Sequence, residues 1–245
     1  MPTNDGFEAG RRGFLRAAAL ALCALPMAVR TAIAQEAGLK IGVIGSGRIG
    51  STLGGIWVKA GHEVMFSSLD LEHDKALAAR LGGKARAGTP KEAAAFGDVL
   101  LMAVPYAALP KVGKDLGELV MGKVVVDASN PILARDGEVA VWAREKGAGL
   151  ASAELLPGAR IVRAFNAIGY SRMAEAAQRP GERIGMPMAG NDAAAIAVAS
   201  RLVREVGYDP VLVGQLAMGK YLMPGTPLAG ENTPDKIRQI AAGLN

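Results

Sequence analysis

Leu39–Val64 reads LKIGVIGSGRIGSTLGGIWVKAGHEV, and inside it Gly45-Ser46-Gly47-Arg48-Ile49-Gly50 is a G-x-G-x-x-G. The bare pattern is weak in this chain. With 32 glycines in 245 residues, random shuffling yields roughly half of one such match. Its setting decides. Leu39–Ile44 is a continuous apolar run that reads as a buried strand, Ile49–Ala60 is patterned as a helix stopped by Gly61, and Glu63–Phe66 reads as a second strand. Strand, glycine turn, helix and strand in that order open a βαβ unit. In that setting Gly45 allows the tight turn, Gly47 lets backbone approach a pyrophosphate, and Gly50 lets the helix pack closely on the sheet. The helix start offers unpaired N–H groups and a positive dipole end to phosphates, with Ser46, Arg48 and Ile49 in the same loop.

Strand-like and helical patterns go on alternating. Leu71–Leu81 is a helix closed by Gly82-Gly83, and Thr89-Pro90 opens a short helix with Thr as cap. Val99–Val104, Lys123–Asp127, Ile161–Phe165, Ile184–Ala189 and Val211–Val213 read as strands, and Asp192 caps a helix running to about Val206. The expected fold is a doubly wound, mostly parallel Rossmann sheet of the α/β class in a single domain. Ligands of such sheets bind at the carboxyl ends of the strands. The loops Val104-Pro105-Tyr106 and Asp127-Ala128-Ser129-Asn130-Pro131 should therefore face the dinucleotide. The chain after Leu216 is rich in Pro and Gly and reads as a lid or tail.

Composition narrows the function. Aromatics make up 4% of the chain and the formal net charge is +5. Four of the arginines (Arg11, Arg12, Arg16, Arg30) fall in the N-terminal leader described next, so the remainder is only mildly basic. A nucleic-acid partner is disfavoured on both counts. Residues 1–34 carry the paired Arg11-Arg12 followed by Phe14-Leu15, a short apolar run from Ala17 to Val29, and Ala32-Ile33-Ala34. A basic region, an apolar stretch too short to span a bilayer and a small-x-small site make an export signal. The adjacent arginines resemble the twin-arginine type. The expectation is export by the twin-arginine translocation machinery, cleavage after Ala34, a periplasmic destination, and a dinucleotide-binding domain over 35–245 with a short C-terminal extension. Cys23, the one cysteine, lies in that leader, and the two histidines, His62 and His73, are too few for a metal centre. No Ser-His-Asp set or pair of acids stands out, so no catalytic residue is assigned. Hydride transfer needs none, because the cofactor carries the chemistry.

The end of the second strand bears on cofactor choice. An acid there would hold the ribose 2′-hydroxyl of NAD, but the chain has Ser67-Ser68-Leu69-Asp70. Hydroxyls at that place would donate to a 2′-phosphate, so the residues favour NADP with NAD possible. Asp70 comes two residues late and reads as a helix-start acid.

Five segments now fall in order: KIGVIGSGRIGSTLGGIWVKAGHEV, VLLMAVP, VVVDASNP, RIVRAFNAIG and MPMAGNDAAAIAVASRLVREVGYDPVLVG. Together they resemble the NADP reductases that use the deazaflavin coenzyme F-420, a fold family that includes the cytosolic domain of eukaryotic transmembrane metalloreductases. The resemblance spans about residues 39–225. It implies NADP on the Gly45–Gly50 loop and a hydride acceptor, a deazaflavin, flavin or metal chelate, over the nicotinamide. It implies too that Val104-Pro105, the Asn130-Pro131 loop and Ala164–Ala167 surround the nicotinamide, with Asn166 as a polar anchor. Members commonly form homodimers. One departure matters. The family has Ser-Arg after the second strand, and here Ser68 is followed by Leu69. The phosphate grip of that arginine is lost, so the NADP preference should be at most modest unless His73 or Lys75 supplies the charge. Two other functions remain open: a non-catalytic NAD(P)-binding or sensing module, and a reductase of small imines or ketones. For the apolar residues Met218, Tyr221, Met223 and Pro224, a wall over the nicotinamide and a tail packed on the sheet are equally compatible with the sequence.

Overall fold

The computed structural model describes residues 37–177 and 180–244, so the leader expected over 1–34 lies outside the described residues. Strand β1 (Lys40–Ile44) leads through the glycine turn into α1 (Arg48–Ala60) and β2 (Glu63–Ser67). There follow α2 (Leu71–Leu81), β3 (Ala85–Ala87), α3 (Pro90–Phe96), β4 (Val99–Met102), α4 (Leu109–Leu116) and β5 (Val124–Asp127). The second half contains α5 (Leu133–Lys146), α6 (Ala148–Leu155), β6 (Arg160–Arg163), α7 (Tyr170–Ala177), β7 (Gly185–Gly190), α8 (Ala193–Val206), β8 (Asp209–Gly214) and α9 (Pro234–Ala242). The eight strands form one sheet in the order β3-β2-β1-β4-β5-β6-β7-β8. Every pairing is parallel except β6 with β7, which meet over Val162↔Gly190 and Arg163↔Ala189.

Both faces of the sheet are covered, which is why its central strands are apolar throughout. Successive side chains alternate between two cores. Ile41, Val43, Val99, Leu101, Val124 and Val126 point to one face, where Leu53 and Trp57 of α1 and Leu202 and Val206 of α8 pack. Ile44, Leu100, Met102 and Val125 point to the other, against Ala93, Leu109, Leu116 and Ala151. His62 is buried and structural: Nδ1 accepts from Leu39 N at 2.9 Å, and Nε2 sits 2.6 Å from Glu205 on α8. Burial pushes the Glu205 carboxyl up, but hydrogen bonds and charges from His62 and Arg201 outweigh this and hold it below its usual range.

The chain after Leu216 is a packed tail. Leu222, Leu228 and Ile237 form a third core with Ala189 and Val211, and Met218 and Tyr221 pack against it. Helix α9 lies so close to β7 that a Cβ on Gly185 would stand 2.5 Å from Ile237. Of the two placements compatible with the sequence, the structure adopts packing on the sheet.

The strand order reverses between β1 and β4: the chain leaves β1 for β2 on one side and returns through β4 on the other. The carboxyl ends of these two strands flank the crevice where sheets of this type take ligands.

Candidate functional site: a cleft along the carboxyl edge of the sheet

The three motif glycines are not equivalent. Gly45 has φ +101, and a Cβ there would lie 2.5 Å from Ala103 O. A Cβ on Gly50 would lie 2.0 Å from Gly45 O. The fold therefore requires glycine at both. Gly47 has φ −63, and a Cβ there would meet nothing within 4 Å. Neither backbone conformation nor packing asks for glycine at 47, and the space its side chain would fill is open. Gly47 is also the N-cap of α1, with no side-chain capping bond and no acid in the first turn. The first amides of a 13-residue helix thus face open space with their dipole uncompensated. A helix start of this kind has the donors that an anion needs. Ile49 offers only backbone there, since its side chain packs against the core.

The hydroxyls behave differently from the sequence expectation. Ser67 is buried and its Oγ donates to Val43 O at 2.7 Å, while its carbonyl accepts from Gly45 N and Ser46 N. Ser46 is buried as well, and its Oγ donates to Asp74, a buried carboxylate on α2. Ser68 Oγ donates to the other Asp74 oxygen at 2.8 Å and accepts from Asp70 N at 3.0 Å. Ser67 was expected to donate to a 2′-phosphate and Ser46 lies in the glycine loop, but inward-facing acceptors claim both protons. Asp70 caps α2 through His73 N, as its position implied. Leu69 is fully exposed. Arg48 stacks on Tyr170 at 4.6 Å and donates to its hydroxyl, so its guanidinium leans toward the start of α7.

A cavity of about 710 Å³ opens at the ends of β1, β2 and β4. It brings together Gly45, Gly47, Ser68, Val104 and Pro105 of the expected residues, with Leu69 at its rim. Neither His73 nor Lys75 lines it, and Lys75 is paired with Glu72 at 2.8 Å. The cation on the wall is instead Lys91, from the first turn of α3, with Lys111 and Asp115 of α4. Sequence reasoning missed Lys91, because only the sheet order brings α3 to the β2 edge.

The remaining expected residues gather beside this cavity, at the ends of β5 and β6. Asn130 Nδ2 donates to Asn166 O at 2.9 Å, and Asn166 Nδ2 donates to Ser129 O at 3.3 Å. Pro131 and Ala164 are buried next to them. Behind the two asparagines lies a polar network. Arg163 and Asp127, both fully buried, pair at 2.6 Å. The other guanidinium nitrogen donates to Ser129 O and Asn130 Oδ1. Ser152 Oγ donates to Asp127 at 2.7 Å and lies 3.0 Å from the Tyr106 hydroxyl. Burial, with Asp127 nearby, pushes the Tyr106 hydroxyl up to about 12, so it stays protonated and donates to Ala148 O. Asp136 fastens the two loops to each other, accepting from Ile132 N at 2.9 Å and Ala107 N at 3.3 Å. Burial raises its carboxyl, but bonds from Arg135, Ile132 and Ala107 prevail and hold it below the usual range. A signal for this network does exist in the sequence: opposite charges, Asp127 and Arg163, end two short strands behind apolar residues.

Two features mark the Ala164–Ala167 turn. Among the described residues, buried Asn166 Oδ1 has no hydrogen-bond partner, and such an atom costs about 1–3 kcal/mol unless a ligand or water completes it. Phe165 adopts φ +66, a left-handed conformation that a bulky residue holds only under constraint. Its ring is locked against Trp57 at a centroid separation of 6.1 Å. No group of three or more His, Cys, Asp or Glu is placed to hold a metal ion among the described residues.

Part of the sequence matches a known family, and the fold resembles solved structures. Residues 40–131 match the family model described as NADP oxidoreductase, coenzyme F420-dependent. No curated protein matches the sequence significantly. Among solved structures, a hypothetical protein from Sinorhizobium meliloti is similar at 27% identity and TM-score 0.65, over 78% of this chain and 93% of its own. A candidate F420-dependent NADP reductase from Arthrobacter sp. FB24 is similar at 23% identity and TM-score 0.62, over 75% of this chain and 88% of its own. An imine reductase from Myxococcus stipitatus, in complex with NADP+, shares the fold at 20% identity and TM-score 0.51, over 73% of this chain and 56% of its own. The segment matched by the family model runs from β1 to the loop after β5 and contains the whole 710 Å³ cavity. The chain thus has a Rossmann-type α/β fold, and its match to the family model covers residues 40–131, the part that carries the glycine loop.

Proposed function

We propose that the protein is an NAD(P)-dependent oxidoreductase that moves hydride between the nicotinamide dinucleotide and a small acceptor of the deazaflavin, flavin or metal-chelate class. The observation that carries the reading is Gly47: the fold demands glycine on either side of it but not there, and its missing side chain leaves a cradle in front of uncapped helix amides. A pyrophosphate fits that donor set. The cavity bounded by Ser68, Leu69 and Lys91 would hold the adenosine half. Val104-Pro105, Asn130 and Asn166 would face the nicotinamide, where the orphaned Asn166 Oδ1 is an acceptor suited to a carboxamide N–H. When bound, the nicotinamide supplies the carbon that gives or takes hydride. The protein's part is placement. Arg163 fixes the Asn130 loop, and Asp136 ties that loop to the one after β4. Purified protein mixed with NADH or NADPH and offered deazaflavin, flavins and ferric chelates should oxidise the dinucleotide with at least one of them. Dinucleotide binding without transfer to any acceptor would point instead to a binding or sensing module.

The leader adds a proposal about place. With residues 1–34 as a twin-arginine signal, the protein would fold and take up its dinucleotide inside the cell and work in the periplasm. A slowly released cofactor would then be reduced in place. Dinucleotide should accompany the periplasmic protein through purification, detectable by absorbance and mass, and a consistently empty site would contradict this. A homodimer, implied by the family resemblance, is checked by light scattering on the same preparation.

A further inference from the structure

We infer that this cleft is built for an adenosine ribose with a free 2′-hydroxyl, so that NAD(H) and not NADP(H) is its dinucleotide, and that Asp74 sets the preference. The inference rests on the dinucleotide reading above and runs against the preference the family match implies.

A 2′-phosphate brings nearly two negative charges and needs donors and cations around it. Three hydroxyls lie by the end of β2, and none has a proton to offer. Ser67 Oγ gives its proton to Val43 O. Ser46 Oγ and Ser68 Oγ give theirs to the two oxygens of Asp74. An ionised carboxylate only accepts, so Asp74 fixes both hydroxyl protons inward. Ser68 then turns oxygen lone pairs toward the cavity. One accepts from Asp70 N, and the other suits a ribose hydroxyl, which donates, and repels a phosphate oxygen, which does not. The Asp74 carboxylate itself is buried directly behind this surface and carries the charge that a phosphate would meet. Asp70 and Asp115 add carboxylates to the cavity lining itself.

Apart from Lys91, the cations near the cleft are committed elsewhere. Leu69 brings no charge to the rim. Arg48 stacks on Tyr170, which follows β6, on the other side of β1 from β2 in the sheet order. Lys75 is paired with Glu72. Lys111 is bound to Asp115 at 2.5 Å, and the charge of Lys91 bears on the same carboxylate, which is held below its usual range chiefly by the Lys111 hydrogen bond.

The test is a binding titration of the purified protein with NADH and NADPH, followed by calorimetry and by nicotinamide fluorescence, so that no turnover is needed. NADH should bind tighter than NADPH by on the order of tenfold or more. Asp74→Asn removes the charge and sets an amide N–H group against one of Ser46 and Ser68, freeing that hydroxyl's proton to face outward. The ratio should then fall roughly tenfold toward parity. Leu69→Arg, at an exposed position that cannot disturb the core, should shift the ratio toward NADPH by a similar factor of roughly ten. Native protein that binds NADPH as tightly as NADH or tighter overturns the preference while leaving the dinucleotide reading intact. A folded Asp74→Asn protein with an unchanged ratio overturns the role of Asp74. Failure of both dinucleotides to bind overturns the reading beneath and this inference with it.

Discussion

The two ends of the cleft are made of different materials. The end proposed for the phosphates is made of backbone: a glycine turn, two amides on one carbonyl, and an uncapped helix start. The end proposed for the nicotinamide is made of side chains drawn from far apart in sequence, with Arg163 reaching Asp127, Ser129 and Asn130 across more than thirty residues. A backbone site needs the right residue to be absent, and one substitution there blocks it. A side-chain site needs many residues present, and one substitution there leaves the others unpaired.

That contrast can be broken from the side-chain end first. Arg163→Met leaves Asp127 buried without its partner and should destabilise the protein by roughly 3–5 kcal/mol in chemical denaturation. Asp127→Leu added to it should recover a large part of that loss, since an apolar pair of similar volume replaces a buried ion pair at little cost. A double variant as unstable as the single one would show that the network does more than satisfy its own charges.

At the backbone end, Gly50→Ala forces a Cβ to within 2.0 Å of Gly45 O. It should cost about 3 kcal/mol, because backbone on both sides must move. A melting temperature close to native would contradict the packing role given to Gly50.

Asp136→Asn sharpens the comparison at the seam between the loops. It keeps the shape but weakens the bonds to Ile132 and Ala107, for a loss of roughly 1–2 kcal/mol at neutral pH. The carboxyl is depressed below its ordinary 3.8 in the folded state. Its contribution is therefore present above pH 3.8 and is lost as pH falls through the lower folded value. The stability gap between native and variant should close over that acidic window. A gap that stays constant into the acid range would remove the ionised carboxylate from the account.

The same contrast explains what could be read from the sequence. The β1–turn–α1 unit, the apolar strands and the capped helices at Thr89 and Asp192 are local patterns, and each formed where expected. Strand β3 was invisible because Ala85-Arg86-Ala87 is three residues without apolar alternation. Helix α5 is broken at Gly137, whose φ of +53 interrupts the helical repeat, and α6 is built mostly of small residues that show no stripe. Helix α9 did announce itself through Thr233-Pro234, the same cap that marked Thr89-Pro90, but it was hidden by the Pro- and Gly-rich run before it. In the site, Gly45, Gly47 and Gly50 were legible because a backbone cradle is written in consecutive residues. The inward turn of Ser46 and Ser67 was not, because the acceptors Asp74 and Val43 become neighbours only when α2 and β1 are in place.

The most direct test of the dinucleotide cleft is Gly47→Ala. The new methyl meets nothing within 4 Å in the protein, so melting and denaturation should match the native protein, while affinity for the preferred dinucleotide should fall by at least about tenfold. Equal affinity in the two proteins, or a loss of affinity that only tracks a loss of stability, would contradict the claim that Gly47 is kept clear for a bound pyrophosphate.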